Sequence, residues 1–233
     1  YGCRGLTSIN IPNGVTEIEY DTFSGCKGLT SIDIPNGVTS IGASAFYGCK
    51  GLTSINIPNG VTSIGEWAFS GCSGLMVINI PSSVTSIGNN AFENCSGLKQ
   101  ATVPGNINFK NVFRESNIER VAIAEGSTNI GKSSFLGCST FKSITIPSSV
   151  TSIGERAFSG CSGLTSINIP NGITKIEKGT FSGCTGLTAI NIPSSVISIG
   201  TKTFSGCKRL TSINIPNGVT KIEYGTFSGC EGL

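Results

Sequence analysis

The sequence predicts a β-rich solenoid of about ten short coils built from one 23-residue unit, with little helix, and three observations carry that prediction. Cysteines recur at 3, 26, 49, 72 and 95, and again at 138, 161, 184, 207 and 230. Phenylalanines keep the same beat at 23, 46, 69, 92, 113, 135, 158, 181, 204 and 227. Between the beats, short runs alternate polar and apolar residues and end at Pro, Gly or Asn, as strands and turns do. Self-similarity at one fixed period is the sequence mark of stacked coils, none of which buries its apolar face alone.

One unit runs from Leu29 to Cys49, and each part has a physical role. In Ser31-Ile32-Asp33-Ile34 the alternation turns Ile32 and Ile34 inward and Ser31 and Asp33 outward, as neighbouring side chains of a strand must. Pro35 ends the ladder because it has no N–H to donate. Asn36-Gly37, or Ser-Ser in other units, turns the chain. Val38-Thr39-Ser40-Ile41 alternates again and predicts a second short extended segment on the opposite side. Ala45-Phe46 supplies a bulky core plug beside a small residue, and Gly48-Cys49 returns the chain to Leu52.

One unit departs from the pattern. Cys95 to Cys138 spans 43 residues, three short of two units, and the irregular repeat at about 104–123 lacks both Cys and the Pro of its neighbours. The chain otherwise reads as a single repeat domain over 1–233. It begins at Tyr1-Gly2-Cys3 and stops at Glu231-Gly232-Leu233, each partway through a unit, which is expected of a piece of a longer protein. Open coil ends of this kind expose core residues such as Leu6 and Leu233 and would favour end-to-end self-association.

Composition narrows the function. A net charge of +3, from 16 basic and 13 acidic residues, with no run of Lys or Arg along the chain, points away from nucleic acid as a partner. No apolar run approaches the length of a membrane-spanning helix, so no membrane insertion is expected in this segment. There is no His, no phosphate-cradling Gly loop and no nucleophile elbow. Carboxylates such as Glu17, Glu66, Glu155 and Glu223 sit on separate coils of a scaffold without a deep cleft, so no enzyme, no cofactor and no metal is expected.

The string L-x-x-I-x-I-P-x-x-V-x-x-I-x-x-x-[AT]-F-x-x-C, as in Leu52 to Cys72 and Leu164 to Cys184, resembles the BspA-like, or Treponema-type, leucine-rich repeat family over essentially the whole chain. The resemblance implies a leucine-rich-repeat solenoid, a right-handed α/β-type superhelix with one parallel sheet on its concave face. It also implies a secreted or cell-surface protein of a bacterium or mucosal protist, with adhesion to host matrix or cell-surface proteins. The expected function is thus a non-catalytic protein-binding module; a cell-surface spacer, or ice or glycan binding through Ser and Asn ladders, are the alternatives.

Candidate sites follow from the pattern. Outward positions of the main sheet form a Ser column (Ser31, Ser54, Ser166) and an Asn column of Asn10, Asp33, Asn56, Asn79, Asn168, Asn191 and Asn214. A ladder of amides bonded from coil to coil is the expected use of most of that column. In the irregular repeat, Arg120 and Glu119 interrupt the neutral columns, with Arg114 and Lys110 close in sequence, which marks a local recognition site. Trp67 is the single aromatic contact candidate. Cys26, Cys49, Cys72, Cys95, Cys138, Cys161, Cys184 and Cys207 read as one column of buried structural thiols, since parallel stacked side chains are poorly aimed for disulfides. Asn94-Cys95-Ser96 is a sequon weakened by its central Cys.

Overall fold

A coil closes because its inward residues are spaced to meet. In the computed structural model, which describes residues 2–233, Leu29, Ile32, Ile34, Val38, Ile41, Ala45, Phe46 and Cys49 are buried, whereas Thr30, Ser31, Asp33, Asn36 and Thr39 face solvent. The described residues form two compact units, Tyr1–Pro104 with Asn111–Ile118 and Gly105–Lys110 with Glu119–Leu233. Each is a parallel β-solenoid with coils 23 residues apart, about nine turns in the chain, and no described residue is helical.

In the first unit the strands are β1 (Glu17–Ile18), β2 (Ser40–Ile41), β3 (Ser63–Ile64), β4 (Val77–Asn79), β5 (Ser86–Ile87) and β6 (Gln100–Val103). The second extended segment of each coil gives the parallel sheet β1-β2-β3-β5, with Ile18, Ile41, Ile64 and Ile87 in register. On the front face β4 pairs β6, and single bridges link Asn10, Asp33, Asn56 and Asn79. Front strands stay short because Pro35, Pro58 and Pro81 follow at once and cannot donate to a neighbour.

The second unit holds β7 (Arg120–Ile123), β8 (Asn129–Ile130), β9 (Ser143–Thr145), β10 (Ser152–Ile153), β11 (Ser166–Ile167), β12 (Lys175–Ile176), β13 (Ala189–Asn191), β14 (Ser198–Ile199) and β15 (Ser212–Asn214). Its front face is β7-β9-β11 and β13-β15, joined by the Asn168–Asn191 bridge. Its other side pairs β8 with β10 and β12 with β14.

Stacked phenylalanines run through both cores and correct one expectation. In the first unit Phe23, Phe46, Phe69, Phe92 and Phe113 stack at centroid spacings of 5.3, 5.1, 5.0 and 5.5 Å. In the second unit the column begins outside the beat of the other phenylalanines. It starts at Phe109, 5.3 Å from Phe135, and continues through Phe158, Phe181, Phe204 and Phe227. The backbone agrees: Phe92 N donates to Val112 O and Phe109 N to Ser134 O, the same bond that Phe46 N makes with Ala68 O in a regular coil. The irregular repeat therefore supplies two plugs, four positions apart, one to each unit. Its shortened sequence is met by a change of register.

Two left-handed positions recur in the regular coils. Two residues after the Phe stand Gly25, Gly48 and Gly71 at φ 73, 67 and 73°, a conformation that costs a side-chain-bearing residue about 1 kcal/mol or more. Two residues before the Phe the same region is occupied by Asp21, Ser44, Trp67, Asn90, Ser133, Arg156 and Lys202.

Candidate functional site

The front face is built by the outward residues of the short strands. Asn10, Asp33, Asn56 and Asn79 of the first unit are exposed, as are Asn168, Asn191 and Asn214 of the second. Ser31, Ser54 and Ser166 are exposed beside them. The amide ladder expected of the Asn column does not form: among the described residues no Asn side chain of this column hydrogen-bonds another. Threonine makes the ladder instead. Thr30 Oγ1 donates to Thr7 O at 3.2 Å and Thr53 Oγ1 to Thr30 O at 3.4 Å, and Thr188 and Thr211 repeat the contact in the second unit. Backbone carbonyls lie within reach of a one-carbon hydroxyl, and the Asn amides stay open to solvent.

A second threonine column does the same after the Pro turn, where Thr39, Thr62 and Thr85 donate to Thr16, Thr39 and Thr62 O at 3.2–3.3 Å. In the first unit the front columns are interrupted by Met76 and Val77, 58% and 52% exposed, followed one coil later by Lys99 and Gln100.

The residues singled out around the irregular repeat are divided between the two units. Arg114 belongs to the first unit, where it lies 3.5 Å from Glu93 and 3.4 Å from Glu115. Lys110, Glu119 and Arg120 belong to the second. There Lys110 follows the Phe109 plug, while Arg120 opens the front strand β7, opposite Ser143. Glu119 pairs with Lys142 Nζ at 2.9 Å. Arg120 is exposed and its guanidinium makes no ion pair or hydrogen bond among the described residues. Trp67 is 40% exposed at φ 52°. With the Asn90 amide oriented to satisfy both neighbours, its oxygen accepts from Trp67 Nε1 at 3.2 Å and its nitrogen donates to Asn111 O at 3.3 Å. The indole is tethered by its own scaffold.

Cys26, Cys49, Cys72, Cys95, Cys138, Cys161, Cys184 and Cys207 are buried and free. From Cys49 onward these thiols also have a polar partner. Cys49, Cys72 and Cys95 Sγ donate to Phe23, Phe46 and Phe69 O at 3.1–3.2 Å. Cys161, Cys184 and Cys207 do the same, and Cys138 reaches the relocated plug, Phe109 O, at 3.9 Å. Burial disfavours the thiolate, which pushes Cys49, Cys95, Cys138 and Cys207 up to about 12. Such thiols are inert as nucleophiles at neutral pH. Among the described residues no group of three His, Cys, Asp or Glu is placed to hold a metal ion. Glu155, drawn below the usual carboxylate range by its contact with Lys132 at 3.0 Å, is a surface ion pair.

One column was not visible in a scan of charge along the chain. The residue after each cysteine lies on the outer edge of the coil, and in the first three coils of the first unit it is Arg4, Lys27 and Lys50, all exposed, before Ser73 and Ser96 take the position. The signal was present as basic residues 23 apart.

A family model described as BspA type Leucine rich repeat region matches the chain over residues 1–111 and 109–233, with six copies. No curated protein matches the chain significantly. Among solved structures, the chain is similar to a leucine rich cell surface protein of Faecalibacterium prausnitzii A2-165, with 30% identity, a TM-score of 0.49, and 100% of this chain and 73% of that one covered. It is similar to a leucine-rich repeat protein of Bacteroides ovatus with 29% identity and a TM-score of 0.47, over 100% of this chain and 78% of that one. A leucine rich repeat protein of T. pallidum shares 27% identity with a TM-score of 0.45, over 78% of each chain.

Proposed function

The chain belongs to the BspA-type leucine-rich repeat family, and from that premise we propose that it is a non-catalytic, protein-binding adhesion module of a secreted or cell-surface protein. The observation that carries the reading is the state of the front face. Its Asn amides are exposed, held in 23-residue register by paired strands, and unspent on one another. A surface whose donors and acceptors are free and rigidly spaced loses little entropy when a partner backbone or side chain takes them up.

Specificity then rests on where the columns break. In the first unit Met76 and Val77 place an apolar spot among hydroxyls and amides, the arrangement of a small contact centre with a polar rim. In the second unit Arg120 offers a guanidinium with its donors unused. Membership of the BspA-type family supports an exposed location, and matrix or cell-surface proteins are the partners to test first.

The test is saturable solid-phase binding of the 233-residue chain to a panel of matrix proteins, repeated with the Met76→Ser/Val77→Ser and Arg120→Ala variants after their denaturation midpoints are checked. Loss of about tenfold or more in affinity for one partner is expected from at least one variant. Absence of saturable binding across the panel would overturn the reading in favour of a spacer.

A further inference from the structure

The outer edge of the first unit carries a groove of about 340 Å³ that is lined by Arg4, Lys27, Lys50, Tyr47 and Ser24 and by no carboxylate. Three features make it more than scattered surface charge.

The cations are aligned by the backbone. One residue after each of Lys27 and Lys50 stands a glycine, Gly28 and Gly51, whose absent Cβ would come within 2.6 Å of Arg4 O and Lys27 O in the preceding coil. Only glycine allows so close an approach, and Gly51 N donates to Lys27 O at 3.0 Å. Arg4, Lys27 and Lys50 are thereby stacked at the coil spacing, roughly 4.8 Å for paired strands.

The cations are also unneutralised. None of the three makes an ion pair among the described residues, although other lysines of the chain do, among them Lys132, Lys142, Lys175 and Lys221. Like charges held this close repel, a cost that an anionic ligand would remove.

The groove has a bare floor and one aromatic wall. Gly25 and Gly48 present backbone there, and Tyr47 lies 49% exposed beside the lysines. An aromatic face flanked by cations suits a sugar ring, whose C–H face packs on the ring while its anionic substituents meet the ammonium groups. A stacked nucleic-acid strand would call for an aromatic at successive coils, and the positions equivalent to Tyr47 are Ser24 and Ser70.

We propose that the Arg4–Lys27–Lys50 column with Tyr47 is a binding site for a sulfated polysaccharide chain lying along the edge of the coils. It is distinct from the front face and does not depend on the protein-binding reading above.

The experiment is calorimetric titration of the 233-residue chain with a heparin-derived octasaccharide, its desulfated counterpart and inorganic polyphosphate of matched charge. The sulfated octasaccharide is expected to bind, and removing sulfate or introducing Lys27→Gln/Lys50→Gln to weaken binding by about tenfold or more. Tyr47→Ala should weaken the octasaccharide alone by a few-fold, and Lys132→Gln/Lys175→Gln, in the second unit, should leave it unchanged. Unaltered binding by Lys27→Gln/Lys50→Gln with an unchanged denaturation midpoint would overturn the site. Equal binding of polyphosphate, with no effect of Tyr47→Ala, would overturn the sugar chemistry. The front-face variants Met76→Ser/Val77→Ser should not affect this titration, so the two readings can fail separately.

Discussion

At the residue after the coil cysteine, the first unit carries Arg4, Lys27 and Lys50 without ion pairs and then Ser73 and Ser96, whereas the second carries Ser139, Ser162, Thr185, Lys208 and Glu231, the last two joined at 3.1 Å. Inside the coil one position exchanges chemistry within both units. Before the Phe, Ala45, Ala68 and Ala91 of the first unit and Ala157 of the second are buried, whereas Thr22 of the first and Thr180, Thr203 and Thr226 of the second donate their hydroxyls to Glu19, Glu177, Gly200 and Glu223 O at 2.6–2.8 Å. Where a hydroxyl stands in place of the methyl, a carbonyl three residues back accepts from it, so the interior exchanges chemistry at constant geometry. The edge answers to no such bond. Charge can accumulate there in one unit and be cancelled in the other, while the Phe and Cys columns stay the same in both.

If the shared columns hold both units, a change that strikes every column should have the largest effect. An unfolded thiol ionises near 9.0, and Cys49 and Cys95 of the first unit and Cys138 and Cys207 of the second ionise near 12 when folded. Below pH 9 both states keep the proton and the thiols contribute no pH dependence. Between 9 and 12 the unfolded chain releases protons that the folded chain retains, so stability falls by about 1.4 kcal/mol per pH unit for each such thiol. Urea midpoints measured across that window should drop steeply, and a flat profile would show that the thiols are not held protonated by the fold.

Deleting one plug in each unit sharpens the comparison. Phe69→Ala and Phe181→Ala both remove a fully buried ring stacked on two neighbours, and each should cost about 3–5 kcal/mol in chemical denaturation. A cost confined to one variant would mean that the two columns do not serve the same purpose.

The inward residues were legible in the sequence because an apolar side chain is the only kind that a closed coil accepts at those offsets, from Leu29 through Phe46. The turns were legible through Pro35 and Gly48 for equally local reasons. The choice of plug was not. The beat picks out Phe113, and the stacking of Phe109 on Phe135 depends on the register adopted by the whole segment. The coil-to-coil side-chain bonds fell to another column: hydroxyls one carbon from the backbone reach the neighbouring carbonyls at Thr30 and Thr53, while the Asn amides remain open. The edge column of Arg4, Lys27 and Lys50 was written plainly at 23-residue intervals, but it is invisible to any scan for consecutive charge.

The threonine column predicts a smaller effect. Thr203→Val keeps the shape of the side chain and removes the donor to Gly200 O, with its longer contact of 3.3 Å to Glu177 O. It should lower stability by about 1 kcal/mol in urea denaturation. A neutral result would mean that the hydroxyl is tolerated in the second unit but contributes nothing there.

The smallest effect tests the edge itself. Lys208 and Glu231 are exposed partners, and pairs of this kind add little to stability. Glu231→Gln should therefore leave the denaturation midpoint where it was, while freeing one cation on the second unit at the position that Lys27 and Lys50 hold on the first. If charge alone governed retention of a sulfated oligosaccharide, the variant would bind it more tightly. The expected outcome is no gain, because Lys208 follows Thr185 and Ser162 in its column and has no aromatic neighbour equivalent to Tyr47, whose place is taken by Ser205. A gain comparable to the loss caused by Lys27→Gln/Lys50→Gln would show that a single unpaired cation suffices, and that alignment of the column adds nothing.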